Sequence, residues 1–158
     1  LWKLPILYII ENNKYGMGTS VDRASAGSEL YKRGEAFGIP GEIVDGMNVF
    51  KVIKSANKAG DYVRSGKGPY ILEVQTYRYR GHSMSDPAQY RTKKELELYK
   101  DNDPIDIVKQ KILKNKIATE KDLEKINANI ISEIKVAAEF ALDNPYPDVS
   151  ELYTDVYL

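Results

Sequence analysis

The chain has 158 residues, no cysteine and a single histidine, and its 23 basic side chains balance 23 acidic ones. Zero formal net charge gives no global reason to bind nucleic acid or an anionic membrane surface, and the lack of cysteine excludes disulfides and thiol chemistry. With 42% hydrophobic and 29% charged residues, the composition suits a soluble globular domain with its own core. No apolar run approaches the ~20 residues of a membrane span. The start, Leu1-Trp2-Lys3, carries neither methionine nor a signal-peptide pattern, which gives the expectation of a piece of a longer protein.

In chain order, Leu4 to Ile10 (LPILYII) is a short apolar run with a polar, glycine-containing stretch after it. It predicts a strand buried on both faces, as in parallel sheets. Glu42 to Val44 predicts a second strand, ended by Asp45-Gly46. Val49, Phe50, Val52, Ile53, Ala56 and Val63 recur at helical spacing, and the helix should stop at Ser65 to Pro69 (SGKGP). Tyr70 to Tyr77 (YILEVQTY) predicts a third strand. Strand, helix and strand with short joints make a right-handed crossover unit, so the first part of the chain is α/β. Three parallel strands leave faces and edges uncovered. Residues 1–92 therefore read as the C-terminal half of a larger parallel-sheet domain.

Residues 93–158 read as a helical C-terminal region. A charged helix is predicted over Lys93–Lys100, a break at Asp101–Pro104, and a helix from Pro104 to about Lys114. Thr119 then reads as an N-cap with Asp122 in the reciprocal position. Leu123, Ile126, Ile130, Ile134, Ala137 and Ala141 give the next helix one apolar stripe, which Asn144–Pro147 ends. The stripe fits docking on a partner subunit or covering this chain's own sheet, the second being the commoner use of such a face.

In open α/β sheets, ligands sit beyond the carboxyl ends of the strands. Two such ends stand out: Glu11 to Gly16 (ENNKYG) after the first strand and Arg78 to Arg91 after the third. In one parallel sheet both emerge on the same rim. An asparagine oxygen with a nearby backbone carbonyl suits Mg²⁺, a hard ion that takes oxygen ligands. The same Asn-Asn pair and Gly are also common residues of an ordinary turn. From Tyr77 to Lys94 the chain sets Arg78, Arg80, Arg91, Lys93 and Lys94 against Asp86, a local excess of four positive charges, and carries His82. Such a loop suits a phosphate group, with His82 as a hydrogen-bond donor, and it also reads as a solvated surface segment.

Together, "ENNKYGMGTS" and "TYRYRGHSMSDP" resemble the signature segments of one family. It is the alpha subunit of the thiamine-diphosphate-dependent decarboxylating component of 2-oxoacid dehydrogenase complexes. "VDGMNV", "RSGKGPYILEVQTYR", the helical C-terminal region and the ending "ELYTDVYL", similar to a bacterial C-terminus, extend the resemblance over the whole chain. The wording is most similar to the pyruvate branch. The resemblance implies that Asn13 gives a side-chain oxygen and Tyr15 its backbone carbonyl to Mg²⁺. It also implies that His82 is a catalytic residue on the cofactor diphosphate, with Arg78 among the cofactor contacts. The family's Gly-Asp-Gly, whose aspartate is the third metal ligand, would precede residue 1. The only Asp-Gly here, Asp45-Gly46, lies on the wrong side of Asn12-Asn13.

Ser83 and Ser20 match phosphorylation sites of mitochondrial members, and Gln89 replaces a further serine. The resemblance implies oxidative decarboxylation of pyruvate, with transfer of the two-carbon fragment to a lipoyl group on an acyltransferase component. The implied partner is a beta subunit, in an assembly of two alpha and two beta chains, which supplies the glutamate that activates the aminopyrimidine ring. The implied setting is cytoplasmic in a bacterium and the mitochondrial matrix in a eukaryote. With the Gly-Asp-Gly half missing, the 158 residues alone are expected to be inactive. Two other readings stay open: an alpha chain for branched-chain 2-oxoacids or acetoin, and a noncatalytic anion-binding or interaction module.

Overall fold

A computed structural model describes residues 1–157. In chain order it contains β1 (Leu7–Asn12), a small ribbon of β2 (Tyr15–Gly16) and β3 (Thr19–Ser20), a one-turn helix α1 (Val21–Ala24), and a 3₁₀ segment, Leu30–Phe37. Then come β4 (Gly41–Asp45), α2 (Val49–Arg64), β5 (Tyr70–Gln75), α3 (Lys93–Lys100), α4 (Pro104–Lys114), α5 (Glu120–Asp143) and a terminal 3₁₀ turn, Val149–Tyr153. The chain divides into two compact units, Leu1–Lys111 and Ile112–Leu158.

In the first unit, β1, β5 and β4 form one sheet in that order, and both pairings are parallel. The expected α/β crossover is present, with α2 between β4 and β5. β5 is hydrogen-bonded on both edges, which is why Tyr70, Ile71 and Leu72 are buried there. Leu72, at 1% exposure, is among the most buried side chains, and such a burial stabilises by about 2 kcal/mol. Local signals set the helix start: Asn48 Oδ1 accepts from the amides of Phe50 (3.1 Å) and Lys51 (3.2 Å). The turn before it needs glycine, because a Cβ on Gly46 would lie 2.7 Å from the Gln75 carbonyl oxygen and 2.6 Å from Thr76 Cγ2.

The first strand departs from the reading of LPILYII in two ways. It starts at Leu7 and runs on to Asn12. Nor is it buried on both faces, since Tyr8 and Ile9 are 49% and 63% exposed. Among the described residues β1 pairs with β5 alone, so its apolar residues gain cover from one side here. The apolar run by itself could not distinguish an edge strand from a central one.

In the second unit α5 opens with the expected reciprocal cap. Thr119 Oγ1 accepts from the Asp122 amide at 3.3 Å, and Asp122 Oδ2 accepts from the Thr119 amide at 2.9 Å. No residue of α5 is buried, and Ile126, Ile130 and Ile134 are 57%, 50% and 65% exposed. Among the described residues no helix is long and apolar enough to cross a membrane.

Candidate functional site

The sheet register builds the site. Asn12 stands opposite Gln75 at the carboxyl ends of β1 and β5, and the Thr76 amide donates to the Asn12 carbonyl at 2.9 Å. The two following loops therefore leave the sheet side by side. Asn13, Tyr15, Arg78 and His82 line one cavity there, together with Arg80, Tyr90 and Arg91. Three arginines and no acidic residue line that space. Ser20 and Ser83 do not line it: Ser20 Oγ caps α1 through the Arg23 amide (3.3 Å), and Ser83 Oγ is 3.1 Å from Ser85 Oγ on the exposed loop.

The first loop is held from beneath. Asn12 is buried, its Nδ2 donates to Glu73 Oε1 at 2.7 Å, and its Oδ1 accepts from the Lys14 amide at 3.1 Å. The other Glu73 oxygen accepts from the Tyr31 amide at 3.0 Å. This closes a turn in which Lys14 takes φ 74°, unusual for a side chain with a Cβ. Beyond it the Tyr15 phenol donates to Glu95 Oε1 on α3 at 2.9 Å. Burial, with the Glu95 hydrogen bond second, pushes the Tyr15 phenol up to about 12, so it stays a neutral donor throughout the working range. The Tyr77 phenol donates to the same oxygen at 2.9 Å, and its ring stacks on Tyr99 at 3.9 Å.

The second loop is held by its own charges. The Arg91 guanidinium donates to the carbonyls of Arg78 and Tyr79 and lies 5.2 Å over the Tyr77 ring. Arg78 Nη2 donates to the His82 carbonyl at 3.0 Å. Asp86 gathers three donors: the His82 amide at 2.7 Å, the Ala88 amide at 2.8 Å and the Tyr90 phenol at 2.9 Å. Gly81 fits because its missing side chain leaves room for Asp86.

These donors set a pH dependence. The His82 and Ala88 amides, and more weakly the Tyr90 phenol, hold the Asp86 carboxyl below the ordinary aspartate range. A depressed folded-state value makes the contribution fully present above the ordinary aspartate range. It is lost as pH falls through the depressed value. The loop over residues 81–91 should thus keep its amide protection at neutral pH and lose it in strong acid. Asp86→Asn should reproduce that loss at neutral pH, which hydrogen exchange measured by mass spectrometry reads directly.

Sequence reasoning missed Glu73, Asp86 as the loop's tie, and Glu95. The one available signal for Glu73 was a carboxylate inside an otherwise apolar strand, YILEVQ.

The residues present suit a magnesium diphosphate group. Asn13 and Tyr15 offer hard oxygen donors, and the guanidinium groups complement phosphate oxygens. Among the described residues no group of three or more His, Cys, Asp or Glu could hold a metal ion.

A parallel sheet with an amide turn and a guanidinium-rich loop on one carboxyl-end rim places the chain in the α/β class, whose ligands sit beyond the carboxyl ends of the strands. More particularly, the chain belongs to the dehydrogenase E1 component family, whose sequence model matches residues 1–150. It is 54% identical over 157 residues to the pyruvate dehydrogenase E1 component subunit alpha of Rickettsia felis, covering 99% of this chain and 48% of that protein. To the protein of the same name from Rhizobium meliloti it is 54% identical over 159 residues, covering 100% of this chain and 46% of the relative. The mitochondrial subunit alpha of Sminthopsis macroura is 48% identical over 159 residues, with 99% and 43% covered. The chain thus spans about half the length of the curated relatives it matches.

Proposed function

We propose that these residues form part of the alpha subunit of a thiamine-diphosphate-dependent dehydrogenase of pyruvate, with residues 1–92 as its cofactor-binding portion and 93–158 as a helical extension. Leu158 lies outside the described residues. One observation carries the reading: Asn13 and Tyr15 from one loop and Arg78 and His82 from another line a single cavity free of carboxylates. Relatives of about half-identical sequence bear the name of the pyruvate enzyme's alpha subunit, which supports the choice of substrate.

In this reading the Asn13 side-chain oxygen and the Tyr15 carbonyl hold Mg²⁺. Arg78, Arg80 and Arg91 offset the charge of the diphosphate. His82 contacts that diphosphate as a hydrogen-bond donor at the mouth of the cavity. Thiamine diphosphate, when bound, supplies the electron sink for decarboxylating a 2-oxoacid. The chain's own residues bind and orient it, and the fixed charges of the rim do so without reorganising. A beta subunit would complete the site in an assembly of two alpha and two beta chains. A lipoyl-bearing acyltransferase component would take the two-carbon product. The setting would be the cytoplasm of a bacterium or the matrix of a mitochondrion. Ser83, one residue from His82, is the position where an added phosphate would repel the diphosphate, and Ser20 is a second candidate.

The test is turnover by the full-length assembled enzyme on pyruvate, branched-chain 2-oxoacids and acetoin. Clear preference for pyruvate supports the proposal. Preference for a branched-chain acid or acetoin would reassign the substrate, and turnover of none would sink the reading.

A further inference from the structure

We infer that Glu73 is a positioning residue for the metal-binding turn, setting affinity for the magnesium diphosphate group through Asn12. The inference rests on the proposed reading of Asn13 and Tyr15 as the metal clamp. Glu73 is fully buried at 0% exposure, on a strand whose buried neighbours Ile71 and Leu72 are apolar. A buried carboxylate is costly unless its oxygens are well bonded, and an apolar side chain of similar size would often pack at least as well. Stability alone therefore gives no reason for a carboxylate here. Its geometry does. The two oxygens join segments distant in sequence: the end of β1 through Asn12 Nδ2 at 2.7 Å, and the start of the 3₁₀ segment through the Tyr31 amide at 3.0 Å.

The consequence for the turn follows from hydrogen-bond polarity. A carboxylate only accepts, so Glu73 requires the NH₂ end of the Asn12 amide to face it. The Asn12 oxygen must then point the other way, where it accepts from the Lys14 amide at 3.1 Å. That bond holds Lys14 at φ 74°, and the reversal there carries Asn13 and Tyr15 to the cavity wall. Glutamine at position 73 would present a donor to one of two donors, Asn12 Nδ2 or the Tyr31 amide. The Asn12 amide would no longer have one favoured orientation, and the turn would lose its register.

Polarity also supplies the rescue. In the double variant Glu73→Gln with Asn12→Asp, the introduced amide NH₂ donates to the introduced carboxylate. That carboxylate still accepts from the Lys14 amide, and the introduced amide oxygen still accepts from the Tyr31 amide. Net charge is unchanged.

The test is the magnesium-dependent dissociation constant of thiamine diphosphate in the full-length enzyme, read by tryptophan fluorescence or calorimetry. Turnover at saturating cofactor is measured alongside. Glu73→Gln should raise the constant by about 10–100-fold, the range for residues that orient metal ligands. Turnover at saturation should stay near wild type. The double variant should recover most of the lost affinity. Wild-type affinity in Glu73→Gln, or no recovery in a folded double variant, would overturn the inference. If Glu73→Gln does not assemble, Asn12→Asp, which sets two carboxylates face to face, takes its place under the same criteria. Asn13→Ala separates the two levels: if it leaves affinity unchanged, the metal-clamp reading fails. If it weakens binding while Glu73→Gln does not, only the tether fails.

Discussion

Replacing Asn13 by alanine should weaken magnesium-dependent binding of thiamine diphosphate to the full-length enzyme by about 100-fold, or about 2.7 kcal/mol. The size follows from how few protein groups Mg²⁺ uses. With one or two protein oxygens and the rest from phosphate and water, removing one oxygen leaves the ion poorly held. Asn13 lines the same cavity as His82 and the three guanidinium groups, and no neighbouring carboxylate there can replace its oxygen. Calorimetry with and without Mg²⁺ checks it. A noncatalytic anion-binding module predicts the opposite, because the guanidinium groups would bind inorganic phosphate equally well without Asn13 and without magnesium.

Gly81→Ala should cost cofactor affinity roughly tenfold or more and expose the Arg78–Arg91 loop to trypsin. The cause is space. A Cβ at this position would lie 2.6 Å from the Asp86 carbonyl oxygen and 2.9 Å from both Cγ and Oδ2 of Asp86. Asp86 must move, and it is the acceptor for the His82 amide, the Ala88 amide and the Tyr90 phenol. Moving it releases the backbone of His82 and the ring of Tyr90 together. Gly16→Ala is the internal control, since nothing lies within 4 Å of its would-be Cβ. It should bind cofactor nearly as wild type does. Equal behaviour of the two variants would show that crowding against Asp86 does not shape the loop.

Helix ends were the most legible part of the fold, because their signals are local. Thr119 with Asp122 and Pro104 at the start of α4 each act within one turn, and both helices begin where those residues place them. The strands were found from apolar runs, but their rank in the sheet was not. LPILYII reads as a strand buried on both faces, whereas among the described residues β1 pairs with β5 alone and Tyr8 and Ile9 are exposed. The β2–β3 ribbon and the 3₁₀ segment carry too few periodic residues to announce themselves.

For the site, the rim itself was legible, because parallel strands must send their carboxyl-end loops to one side. Asn13, Tyr15, Arg78 and His82 were expected from that rim and from the family resemblance, and they line one cavity. What ties them down was not legible. Asn12 meets Glu73 across 61 positions of sequence, Tyr31 meets Glu73 across 42, and Tyr15 meets Glu95 across 80. Each bond joins residues whose types are ordinary apart, and only the fold makes them partners. Asp86 is the closer case. It sits four residues from His82, within reach of pattern reasoning, yet its three donors become visible only when the loop closes.

Under the proposed function the two loops clamp a magnesium diphosphate between them. Calorimetric titration of the full-length enzyme with thiamine diphosphate, with Mg²⁺ and again with the metal chelated, tests it most directly. Binding should require Mg²⁺ and be competed by inorganic pyrophosphate. Undiminished binding after chelation, or indifference to pyrophosphate, would contradict the claim.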